Sequence, residues 1–90
     1  MTVARHVRVT GRVQGVFFRA WAREEARRLG VHGWVRNCAD GSVEAHVQGD
    51  EGGVAELIGK LHFGPSGAQV RDVVVENAEP ENVDRFDVRH

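Results

Sequence analysis

Two stretches of this chain repeat their apolar residues every three to four positions, while the segments around them alternate. Within 90 residues, that switching of period leaves few architectures open, because a helical stripe and a strand face each need a second layer to bury them. From Phe18 to Leu29 the apolar positions are Phe18, Ala22, Ala26 and Leu29. Arg19, Arg23 and Arg27 follow a polar stripe, and Gly30 stands where a left-handed cap belongs. Val54, Leu57, Ile58 and Leu61 make a second stripe at i, i+3, i+4 and i+7, ended by "FGPSG" at 63–67.

The remaining segments read as strands. Between Val3 and Thr10, Val7 and Val9 share one face, with His6, Arg8 and Thr10 on the other. Residues 31–37 and 42–48 flank a connection with Asp40-Gly41 at its tip, a hairpin signal, and Val43, Ala45 and Val47 form the inward face. Residues 70–76 supply a further strand. Val83, Phe86 and Val88 point to a short terminal one after a turn near Pro80. The order strand, helix, hairpin, helix, strand predicts an α+β fold of the ferredoxin-like, split βαβ type (βαββαβ). It is a two-layer sandwich, with two helices on one face of a mostly antiparallel sheet and a short fifth strand at the C-terminus. Length permits one domain, expected over 1–90.

Charge and composition remove several functions. A formal net charge of −1 provides no basic field for nucleic acid or an anionic membrane. The two central strands, "ARHVRVT" and "SVEAHVQ", hold no aromatic residue on which RNA bases would stack. There is no apolar run of signal-peptide or membrane-spanning length, so the expected location is the cytoplasm. Five histidines and the lone Cys38 show no paired metal-ligand spacing. The histidines are read as surface residues, with no metal and no cofactor expected. A histidine-phosphatase reading of Arg5-His6 lacks its glycine, and a cysteine-phosphatase reading of Cys38 fails because Glu44 stands where its arginine belongs.

"GRVQGVFFR", residues 11–19, joins the first strand to the first helix. It matches neither the Walker loop nor the dinucleotide fingerprint. Even so, a glycine-bearing turn at a helix start gathers backbone NH groups and the positive end of the helix dipole into one place. Arg19, a cation at the unfavourable end of a helix, is then either the clamp on a bound phosphate or one member of a surface Arg/Glu pattern supported by Glu24 and Arg28 at i, i+4. Asn37 is likewise either functional or an ordinary asparagine at a strand end.

"GRVQGVFFR" and "GWVRNCADGSVE" at 33–44 resemble the two signature segments of the acylphosphatase family. "LGVHGWV", "GPSGAQV" at 64–70 and "FDVRH" extend the likeness over nearly the whole chain. The resemblance implies a compact α/β sandwich that hydrolyses acyl phosphates to a carboxylate and inorganic phosphate. It implies that Arg19 binds the phosphoryl group together with the loop of Arg12, Val13, Gln14, Gly15, Val16, Phe17 and Phe18, mainly through backbone, and that Asn37 orients the attacking water. Gly11 and Gly15 are expected at conformations where a Cβ would interfere. The chain departs from the family in Ala22, where threonine is frequent, and in His90, where an aromatic residue is frequent. Trp21 and Cys38 are not family marks either.

The sparse chemistry suits that reaction. An acyl phosphate expels a carboxylate whose conjugate acid has a pKa of about 4, so no general acid is needed. A loose phosphoryl-transfer transition state asks mainly for positioning and charge. The expected partners are a small acyl phosphate and inorganic phosphate as product and competitive inhibitor. The expected state is a monomer. The rival expectation is a non-catalytic anion-binding or partner-binding domain on the same fold.

Overall fold

Alternation carries the first strand further than its valines suggest. In the computed structural model, which describes residues 1–90, β1 spans Thr2–Arg12. It is followed by α1 (Phe18–Leu29), β2 (His32–Asn37), β3 (Val43–Asp50), α2 (Glu51–Leu61), β4 (Gln69–Asn77) and β5 (Phe86–Arg89). The sheet order is β4-β1-β3-β2-β5. Every pairing is antiparallel except β2 with β5. The predicted fifth strand is present, but Val83 lies outside it.

The two helical stripes cover one face of the sheet. Phe18, Ala22 and Ala26 from α1 and Val54, Leu57 and Leu61 from α2 are buried against Val7, Val9, Val35, Val43, Ala45, Val47 and Phe86. Ile58 is only partly buried at the margin of this core. The two helix starts differ. Asp50 caps α2 in an extended conformation, its carboxylate accepting from the Gly52 amide at 3.2 Å. Phe17 precedes α1 with no side-chain cap and no acidic residue in the first turn. The far end of α1 is closed as expected: Gly30 is left-handed (φ 70°), and the Gly30 and Val31 amides donate to the Arg27 and Ala26 carbonyls.

The other face of the sheet is not simply open. β4 and β5 are opposite edges, so residues 78–85 must cross the sheet to join them. The crossing is held by Ala78 NH to the Ala4 carbonyl, by Glu81 to Gln48 and to Trp34 Nε1 (2.9 Å), and by Gly33 NH to the Arg85 carbonyl. Ala4 and His46 are buried there. This corrects the reading of all histidines as surface residues: His46 stacks on Trp34 and hydrogen-bonds Gln48 Oε1 at 2.7 Å.

Candidate active site

The loop between β1 and α1 owes its shape to three unusual backbone positions. Gly11 still belongs to β1, at a register shift in its pairing with β4, with φ 120°. A Cβ there would lie 2.2 Å from the Gln69 carbonyl oxygen, so only glycine lets β4 approach. Gly15 (φ 74°) is in open space and its restriction is torsional alone. Phe17 is the chain's one non-glycine residue with positive φ (62°), and its ring is exposed. The residues at 15 and 17 are left-handed and the one between them is not, an alternation characteristic of backbone nests that bind anions.

Those NH groups are free. The amides of Val13, Gln14, Gly15, Val16 and Phe17 donate to no backbone carbonyl, and the first bond of α1 is Trp21 NH to the Phe17 carbonyl at 3.0 Å. The helix start adds its own unpaired donors and its dipole, with no acid nearby to neutralise them.

Side chains of the loop act as its anchors. Gln14 Nε2 donates to the carbonyls of Cys38 (2.8 Å) and Ser42 (2.9 Å), tying the loop to the β2–β3 hairpin. The hairpin is itself braced: Asp40 Oδ1 accepts from the Ser42 amide and hydroxyl, and Arg8 donates to Ser42 Oγ at 2.8 Å. These Ser42 bonds hold the Asp40 carboxyl below the usual aspartate range. At the loop's other end Phe18 is buried edge-on against Trp21.

A cavity of about 590 Å³ opens beside the loop, lined by Val13, Gly15, Phe17, Phe18 and Arg19, with Asn37 at the end of β2 facing the same space. Arg19 and Asn37 thus line one cavity. Arg12 pairs with Gln69 in the sheet and, like Gly11, Gln14 and Val16, does not line the cavity. Arg19 Nη1 donates to the Arg89 carbonyl at 2.9 Å and lies 3.2 Å from His90 Nδ1.

Four further residues close the cavity: Ala20, Arg23, Val88 and His90. Sequence reasoning placed Arg23 on a solvated stripe and assigned His90 no role. Position i+4 from Arg19 was the available signal for Arg23. The expected Glu24–Arg28 support also differs, since the contacts formed are i, i+3: Glu24 with Arg27 at 3.6 Å, and Glu25 with Arg28. No Asp or Glu side chain lines the cavity, whereas two arginines, Arg19 and Arg23, do.

A fold with free amides at an uncapped helix start, an arginine and an asparagine around one cavity belongs to the phosphate-handling proteins. Residues 5–88 match the family model described as Acylphosphatase. An acylphosphatase of Rhizobium etli is 54% identical over 79 residues, covering 88% of this chain and 84% of that protein. One from Thermococcus kodakarensis is 54% identical over 86 residues, covering 96% and 94%. The solved structure of an acylphosphatase from Coxiella burnetii superposes with a TM-score of 0.94 at 39% identity, over 98% of this chain and 93% of that one. The chain belongs to the acylphosphatase family, and it is an enzyme of acyl phosphate hydrolysis.

Proposed function

We propose that the hydrolysis runs by direct attack of water on phosphorus, with the amides of Val13–Phe17 and the Arg19 guanidinium gripping the phosphoryl oxygens and the Asn37 side chain aiming the water. The attacking oxygen bonds to phosphorus as the bond from phosphorus to the acyl oxygen breaks. The carboxylate leaves unprotonated, and the water's proton passes to a phosphoryl oxygen. Donors already aimed at the developing charge need no reorganisation in the transition state, and this is where most of the rate comes from. The observation that carries the reading is the run of amides without acceptors leading into a helix that has neither cap nor acid.

The same reading makes inorganic phosphate, the product, a competitive inhibitor. It takes 1–90 as one monomeric catalytic domain acting in the cytoplasm. No helix is long and apolar enough to cross a membrane.

The test is to incubate the purified chain with a small aromatic acyl phosphate in EDTA and follow the fall in absorbance, with and without added phosphate. Hydrolysis that survives chelation and is inhibited competitively by phosphate is expected. Phosphate binding without turnover would make the chain an anion-binding module instead.

A further inference from the structure

Arg23 stands one helical turn beyond Arg19, about 6 Å along the axis of α1, and lines the same cavity. Its surroundings do not explain it as a surface cation. Nε is closed to solvent and has no hydrogen-bond partner, and the one carboxylate within reach is Glu24 Oε1 at 3.7 Å, too far for a hydrogen bond. Glu24 also lies 3.6 Å from Arg27. The side chain is nonetheless 37% exposed, so its outer guanidinium nitrogens are the donors left for a ligand.

Charge gives the same direction. Arg19 and the loop amides answer the phosphoryl group, and no Asp or Glu side chain lines the cavity to answer Arg23. A guanidinium fork matches a carboxylate in two parallel hydrogen bonds, and with Nε buried the two outer nitrogens are the pair left to form them. Ala20 lines the same cavity, and its small side chain leaves room there for a short acyl chain.

We propose that Arg23 determines specificity, forming a second anion subsite that favours acyl phosphates whose acyl group ends in a carboxylate. This rests on the reading that Arg19 and the loop hold the phosphoryl group. Val13, Val88 and the exposed Phe17 ring give the intervening methylenes an apolar wall, and the carboxylate at the far end meets the guanidinium.

The experiment compares kcat/KM for succinyl phosphate and butyryl phosphate, which share a four-carbon acyl group and differ in the terminal carboxylate. Wild type is expected to favour succinyl phosphate. Arg23→Gln should reduce that ratio about tenfold, the scale of one charge-assisted hydrogen bond, with the loss in KM. Arg23→Lys should restore part of it, and added salt should narrow the ratio in wild type and Arg23→Lys but not in Arg23→Gln. A variant that merely disturbed the fold would lose both substrates in proportion. A wild-type ratio near one, or a ratio that Arg23→Gln leaves intact, overturns the subsite. Failure of wild type to hydrolyse either substrate would instead overturn the phosphoryl site beneath it.

Discussion

Arg19 donates through Nη1 to the main-chain carbonyl of Arg89, 2.9 Å away and 70 positions later in the chain. Arg89 is paired with Arg36 in the only parallel pairing of the sheet, and Arg36 precedes Asn37. The guanidinium is therefore fixed against the strand pair that also carries the asparagine. Helix α1 sets where the arginine starts, and β5 sets where it ends.

Arg19→Ala is expected to lower kcat/KM at least a hundredfold, about 3 kcal/mol, the usual loss for one oxyanion donor. It should weaken phosphate inhibition as well. Asn37→Ala is expected to lower kcat on the same scale while changing the phosphate inhibition constant by less than about twofold, because it acts on water and not on phosphorus. Steady-state kinetics with phosphate as inhibitor separates the two.

Gln14 holds the loop to the hairpin by two hydrogen bonds to carbonyls. Gln14→Ala should cost about 1–2 kcal/mol of stability in urea unfolding. It should also cost roughly tenfold in kcat/KM, since a small displacement of reacting groups is expensive.

The two glycines of the loop are expected to respond differently. Gly15→Ala meets no atom within 4 Å and should cost about 1–2 kcal/mol from left-handed torsion alone, with the fold retained. Gly11→Ala drives a Cβ to 2.2 Å from the Gln69 carbonyl and should forfeit the β1–β4 register as well. Thermal melts of the two variants give the comparison.

The Glu44 side chain on β3 pairs with His6 on β1 and with Arg36 on β2, and it is 11% exposed. Burial pushes its carboxyl up, but hydrogen bonds from His6 (2.6 Å) and Arg36 outweigh that and hold it below the ordinary glutamate range. A carboxyl depressed in the folded state binds fewer protons there than in the unfolded chain. Its stabilisation is complete above the unfolded value of about 4.3 and is lost as pH falls through the lower folded value. Glu44→Gln should therefore cost about 1–2 kcal/mol at pH 7, a figure reduced by the exposure of both partners. The gap to wild type should shrink toward pH 3, as read by urea unfolding at the two pH values.

Local signals carried much of this molecule. The spacing of Phe18, Ala22, Ala26 and Leu29 with Gly30 after them gives α1 its observed bounds, and Asp40-Gly41 marks the hairpin tip. Relations between distant segments were not legible. Nothing near His46 in sequence announces that residues 78–85 will cross over it, and nothing near Arg19 announces the Arg89 carbonyl. Arg23 looked like its neighbours on a charged stripe because periodicity assigns a helix face, whereas the cavity it lines is closed by β5 and His90 from the other end of the chain. The free amides were half legible: two glycines and no capping side chain before Phe18 allow them, but only the left-handed Phe17 completes the concavity.

The central claim is that the main-chain donors of 13–17 hold the phosphoryl group with Arg19. Titrating inorganic phosphate into the ¹⁵N-labelled chain tests it most directly. The account predicts saturable shifts concentrated at the amides of Val13–Phe17 and the first turn of α1, with affinity lost in Arg19→Ala. Shifts centred elsewhere, or a loop that stays silent while phosphate binds, would contradict it.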